Sequence, residues 1–263
     1  MVGASVIGPT HIRDGLPNQD AIGWHPPGGR GDALVVVVSD GHGARPHFRS
    51  GTGSALAVQV ALDAGRAFLE SPAPPDELPA RIVDGWRAAV AVDLRERPFT
   101  DTELEVVELT HGGGVREAVE EDPLIAYGAT LIAAIVDGPS ALVLQLGDGD
   151  VLHATPAGVS QPLPADPRLY GGMTTSLCMP DAVGETRMVR VTAPAGEGGV
   201  LVMATDGFKN AYLDDASFLQ VGPDIARAAR AGPDGVAGQL GGWLAEAARH
   251  SGDDVSVAVI GFG

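Results

Sequence analysis

The chain has 263 residues, 44% of them hydrophobic, which is enough for a substantial core. A formal net charge of −17 leaves no overall positive field to draw in nucleic acid or an anionic membrane, so neither is expected as a partner. The single cysteine, Cys178, rules out an internal disulfide and a thiolate cluster for zinc, and reads as a small residue in or near the core.

In chain order, residues 4–7 and 21–24 read as strands, and the β-branched run 34–39 as a third that stops at Asp40. From 53 to 70, Leu56, Val60, Ala64 and Ala67 recur at helical spacing, and from 78 to 97 Ile82, Trp86, Ala89 and Val92 repeat the pattern. Two long amphipathic helices joined by the Pro-rich stretch 71–75 are expected. The acidic, glycine-containing stretch 101–122 reads as a mobile surface insertion, with 103–108 a solvated face. Apolar runs 129–137 and 141–147 around Gly138-Pro139 predict a β-hairpin, and 151–154 a strand after the turn Gly147-Asp148-Gly149-Asp150, in which Asp150 reads as a turn residue. Residues 162–180 are loop-like, 188–191 and 200–204 are strands, 224–231 and 235–250 are helices, and 255–260 is a closing strand. No internal repeat is present. The order predicts an α+β chain of antiparallel sheets with helices packed outside, organised as one domain over 1–263. No apolar run reaches the ~18 residues of a spanning helix, and the N-terminus has no basic start followed by an apolar core, so a soluble cytoplasmic protein is expected.

Four short acidic motifs border apolar runs: Asn18-Gln19-Asp20, Asp40-Gly41-His42-Gly43, Thr205-Asp206-Gly207 and Asp253-Asp254. Strands beside them would hold several carboxylates at one sheet edge. Clustered carboxylates repel, and a hard divalent cation such as Mg²⁺ or Mn²⁺ relieves the repulsion.

Together with Gly128-Ala129-Thr130 and Gly147-Asp148-Gly149-Asp150, these motifs occur in an order that resembles the metal-dependent protein phosphatases of type 2C, the PPM family. Gly8-Pro9-Thr10-His11 and Thr174-Thr175-Ser176-Leu177 look more like its bacterial branch. The resemblance implies a central β-sandwich of two antiparallel sheets flanked by helices, a four-layer αββα arrangement. It also implies a flap over about 162–180, where Arg168, Tyr170, Gly171 and Gly172 would contact a phosphopeptide; an ordinary surface connection is the competing reading. At one end of the sandwich it implies two Mn²⁺ or Mg²⁺ ions and a weaker third. Carried over by position, Asp40 would bridge both ions and the Gly41 carbonyl would complete one, while Asp206 and Asp253 would hold the other. Asp20 would act mainly through a water, and Asp148 with Asp206 would support the third ion. The implied activity is that of a serine/threonine phosphatase, with a metal-bridging hydroxide attacking phosphorus directly. A phosphorylated protein would be the substrate, a serine/threonine kinase the implied counterpart, and a monomer the favoured state.

Three departures stand out. Gln19 supplies a neutral amide where the family often has Glu. His11 and Arg13 are the candidates for the phosphate grip that an Arg commonly provides, and His11 is also able to act as a general acid; with Asp148 they make up the candidate catalytic set. The final pair is Asp253-Asp254 where Asp-Asn is usual, so Asp253 is assigned as the ligand and Asp254 as its support. His42 is a candidate neighbour of the metals. Two other readings stay open: an inactive binding module on the same fold, and a phosphatase of a small metabolite.

Overall fold

A computed structural model describes all residues except 72, 112–113, 170–172 and 231–232, and its central strands alternate their side chains between two buried faces. In order the strands are β1 (Val2–Val6), β2 (Ala21–His25), β3 (Ala33–Ser39), β4 (Leu131–Asp137), β5 (Ser140–Leu146), β6 (Asp150–Thr155), β7 (Gly158–Ser160), β8 (Arg187–Thr192), β9 (Gly199–Ala204) and β10 (Val255–Phe262). They form two antiparallel sheets of five strands, ordered β1-β10-β9-β6-β7 and β2-β3-β4-β5-β8. The α-helices are α1 (Pro9–Asp14), α2 (Ser50–Glu70), α3 (Leu78–Glu96), α4 (Asp101–His111), α5 (Val115–Glu121), α6 (Ala182–Glu185), α7 (Asp206–Lys209), α8 (Asp215–Leu219), α9 (Val221–Arg230) and α10 (Pro233–Ser251).

The period of two explains the layering. In β3, Leu34, Val36 and Val38 face the other sheet, where they meet Leu201, Met203, Ala258 and Ile260. Val35 and Val37 point the opposite way, onto a core shared with Ala57 and Ala61 of α2 and Ile82 and Trp86 of α3. On the far side of the second sheet, Val202, Val257 and Val259 pack with Ile225 of α9 and Leu240 and Leu244 of α10. Helix, sheet, sheet and helix therefore follow one another, and the strands read as nearly unbroken apolar runs because both faces are covered.

Antiparallel pairing also decides where the acidic motifs go. Ser39 at the end of β3 pairs with Ala21 at the start of β2, so Asp40 and Asp20 leave the sheet at the same end. In the other sheet Ala204 at the end of β9 pairs with Val257 near the start of β10 and with Asp150 at the start of β6, which brings Asp206, Asp253 and Asp148 to that end too.

Residues 101–122 correct the expectation of a mobile insertion. They include α4 and α5, with Leu104, Val107 and Val119 buried. Arg49 also ties α4 down: its guanidinium sits over the Phe99 ring and donates to Glu103 at 2.9 and 3.0 Å and to Tyr127 at 2.8 Å. Glu103 is thereby anchored to the body of the protein and is not part of a purely solvated face. Short elements α1, α6, α7, α8 and β7 were not expected, since one or two turns leave no periodic signal. Among the described residues no helix is long and apolar enough to cross a membrane.

Candidate active site

The end of the sandwich where the acidic motifs meet carries an open cavity of about 560 Å³, and Asp40, Asp148, Asp206 and Asp253 all line it. His42, Gly43, His47, Thr174, Ser176 and Cys178 complete much of its wall. Asp40 is fixed by its backbone: its N–H donates to Thr130 Oγ1 at 3.0 Å and its carbonyl accepts from Thr130 N–H at 2.8 Å. A Cβ on Gly41 would lie 2.6 Å from the Gln19 carbonyl oxygen, so only glycine lets the turn after Asp40 press against the segment that carries Asp20. A Cβ on Gly207 would likewise fall 2.1 Å from the Asp254 carbonyl oxygen, which is how the Asp206 turn nests against the final loop.

Asp20 sits behind these four. Its Oδ2 accepts from Thr205 Oγ1 at 2.8 Å, and it is not part of the cavity wall described above. Asp148 Oδ1 accepts from Thr174 Oγ1 at 2.9 Å, and Asp206 Oδ2 accepts from Asn210 Nδ2 at 3.1 Å. Asp254 is buried and faces away from the cavity, accepting from the Gly8 and Gln19 N–H groups and bonding His11 Nδ1. His11 is itself buried, and its Nε2 lies 3.8 Å from where a Cβ on Gly43 would sit. Arg13 takes the opposite course. Two residues on in a helix turns a side chain by ~200°, so Arg13 projects into solvent and pairs with Asp14 at 2.9 Å. A phosphate grip by Arg13 is not supported by this placement.

The electrostatics are those of carboxylates crowded together. Burial first, then the charges of Asp20 and Asp206, hold the Asp40 carboxyl well above its ordinary value. Burial pushes Asp20 up to about 8 despite hydrogen bonds from Ser256 and Thr205. Asp206 rises to about 6 through burial and the neighbouring Asp148 charge, and Asp253 rises through burial with a contribution from Asp254. His42 moves the other way, down to about 3, because burial and the adjacent His47 disfavour its charged form. Its Nε2 and the Oε1 of buried Gln19 have no hydrogen-bond partner among the described residues.

Hard divalent cations fit this donor set. Every acidic donor is an oxygen, four carboxylates share one cavity, and a nearby positive charge is what would lower their raised pKa values. Among the described residues no three acidic, imidazole or thiol groups are placed closely enough to form a ready-made cage, so the fit rests on donor chemistry and charge.

Within the expected flap, Arg168 is tied to Asp166 at 2.6 Å and to Glu185 at 2.7 Å, while Tyr170, Gly171 and Gly172 lie outside the described residues. The flap residues that reach the cavity are Met173, Thr174, Ser176, Cys178 and Met179. Thr174 was legible only as part of a Thr-Thr-Ser segment, and Thr205 only as the residue before an acidic turn. Asp150 is buried rather than a plain turn residue: Oδ1 accepts from Gln161 Nε2 at 3.1 Å and lies 3.6 Å from Lys209 Nζ.

A two-sheet sandwich with helices on both outer faces is the four-layer αββα architecture that the acidic motifs led one to expect. The sequence profile of Protein phosphatase 2C matches residues 7–245, and the chain belongs to that family. A curated relative, serine/threonine-protein phosphatase 3 of Escherichia coli (strain K12), is 27% identical over 218 residues, covering 81% of this chain and 75% of the relative. Among solved structures, the catalytic domain of the serine threonine protein phosphatase PstP in complex with two manganese ions superposes with a TM-score of 0.56 at 18% identity, over 100% of this chain and 97% of that one. A C. elegans sex determining protein gives 0.57 at 17% identity over 99% of this chain, which spans 64% of that protein's chain.

Proposed function

We propose that the chain is a Mn²⁺- or Mg²⁺-dependent phosphomonoester hydrolase that acts on phosphoserine or phosphothreonine in proteins. The observation that carries this reading is the meeting of Asp40, Asp148, Asp206 and Asp253, drawn from both sheets, on one open cavity. The E. coli relative named for serine/threonine phosphatase activity and the two manganese ions in the PstP structure support it.

In this reading Asp40 and the Gly41 carbonyl, with Asp206 and Asp253, hold two ions, Asp148 and Asp206 hold a third, and Asp20 acts through water from behind. Such ions supply positive charge for the phosphoryl oxygens and activate a water for in-line attack. The chain's own residues do the rest. Thr174 steadies Asp148 by its hydroxyl, and Thr205 steadies Asp20. His11 presents Nε2 beside Gly43, at the edge of the cavity, where it would contact the phosphate or the leaving oxygen. The cavity is open and shallow enough for a side chain carried on a polypeptide, and Met173 and Met179, both partly exposed, give its rim apolar surface for flanking residues.

The same reading makes residues 1–263 one catalytic domain, cytoplasmic and monomeric, that reverses the work of a serine/threonine kinase. Its test is a comparison of kcat/KM, with Mn²⁺ or Mg²⁺, for a phosphothreonine peptide and for small phosphorylated metabolites, with a chelator control. A higher value for the peptide, abolished by chelator, is expected. A higher value for a metabolite would replace the substrate class, and no turnover on either would favour a binding module.

A further inference from the structure

We infer that Asp254 is the positioning residue for His11, and that the two form a dyad which sets the imidazole with Nδ1 protonated and Nε2 aimed at the substrate. Asp254 is 3% exposed and His11 8% exposed, and their side chains meet at 2.8 Å across 243 residues of sequence. Two backbone donors and an imidazole nitrogen converge on the one carboxylate. Gly8 N–H reaches Oδ1 at 2.7 Å, Gln19 N–H reaches Oδ2 at 2.6 Å, and His11 Nδ1 shares Oδ2.

The two backbone amides cannot accept. Asp254 is thus used as an acceptor at both oxygens, and Nδ1 completes the set by donating. An asparagine here would offer one acceptor oxygen and an NH₂ group. In either orientation that NH₂ would face an N–H, so only a carboxylate satisfies all three donors in this geometry. With Nδ1 engaged, Nε2 is the free ring nitrogen, and it points to Gly43 on the wall of the acidic cavity. The Oε1 of Gln19, without a partner among the described residues, lies 3.9 Å from the same Gly43 Cβ position, so a polar pair flanks that glycine. Orientation of a histidine by a buried carboxylate fixes which nitrogen meets the substrate. The consequence for catalysis rests on the phosphatase reading, whereas the state of the ring does not.

The experiment takes the Mg²⁺-loaded chain labelled with ¹⁵N-histidine and reads the ring nitrogens by NMR, assigning His11 from the signals lost in His11→Gln. The expected result is a neutral ring that carries its proton on Nδ1, with Nε2 bare. A neutral ring protonated at Nε2 would overturn the inference, and this readout needs neither turnover nor an altered Asp254. The kinetic arm uses Asp254→Asn on a phosphothreonine peptide. Turnover should fall by about 10²-fold in the parent and by less than about 3-fold in the His11→Gln background, with Mg²⁺ affinity changed by less than about 3-fold. Equal losses in both backgrounds, or a large loss of Mg²⁺ affinity, would mean that Asp254 acts on the fold or the metals and not through His11.

Discussion

Thr205 Oγ1 donates a 2.8 Å hydrogen bond to Asp20 Oδ2, joining the end of β9 in one sheet to the approach to β2 in the other. The same hydroxyl accepts from the Ser256 N–H at 2.9 Å, so one buried side chain ties three segments together at the site. Thr205→Val keeps the shape and removes both bonds. It should cost about 2 kcal/mol of stability, read from urea unfolding, and should weaken Mn²⁺ binding severalfold by freeing Asp20. A variant as stable as the parent with unchanged Mn²⁺ affinity would show that this bond contributes nothing.

Asp148 differs from the other cavity carboxylates in being held by a flap hydroxyl, that of Thr174. Asp148→Asn should lower turnover by about 10-fold or more while two Mn²⁺ ions still bind. Calorimetry beside a rate measurement across a Mn²⁺ titration checks this, and an unaltered rate at every concentration would remove Asp148 from catalysis.

Raised carboxyl pKa values give the chelator-treated protein a defined pH dependence. Asp20, near 3.8 when unperturbed, titrates at about 8 in the fold, and Asp206 and Asp150 at about 6. Through these carboxyls the folded state binds more protons than the unfolded state between pH ~4 and ~8, so their contribution to stability is greatest below that window and falls as pH rises through it. Buried His42, down at about 3, contributes with the opposite sign below pH ~6.5. Tm in EDTA should drop by several degrees from pH 5 to pH 8, on the order expected for a chain of this length, and Mn²⁺ should recover much of the loss at pH 8. A Tm in EDTA that rose over that range would contradict the electrostatic account.

Arg49, at the N-terminal cap of α2, links that helix to α4. Glu103 is held down at about 2, from an ordinary 4.5, chiefly by the hydrogen bond from Arg49, so this pair contributes above pH ~4.5 and is lost as pH falls toward 2. Arg49→Met should cost about 2 kcal/mol at neutral pH, because Glu103, Tyr127 and the Arg97 and Pro98 carbonyls lose their donor. Thermal unfolding at pH 7 and pH 3 measures it, and the gap between variant and parent should narrow at the lower pH.

Much of the fold was legible because the strands are apolar runs and the two long helices keep their period; β3, β4, β5, β9 and β10 fall within a residue or two of their expected limits. The acidic motifs were legible as short turns at strand ends. Their convergence depends on antiparallel register, which no local pattern encodes. The order in residues 101–122 is not local: α4 is tied to a guanidinium more than 50 residues earlier in the chain, and α5 is seated by Val119 in a core built from distant segments. The partnership of His11 and Asp254 lay hidden for the same reason, since each departs from the family pattern on its own and only the fold brings them to 2.8 Å.

In the proposed reading the acidic cavity is a divalent metal centre that hydrolyses phosphomonoesters. The most direct test measures Mn²⁺ stoichiometry and p-nitrophenyl phosphate turnover on the same preparations of the parent, Asp40→Ala and Asp206→Ala. The account predicts at least two ions and metal-dependent turnover in the parent, with loss of ion binding and a fall in rate of about 10³-fold or more in each variant. Parent-like turnover and stoichiometry in either variant would contradict it.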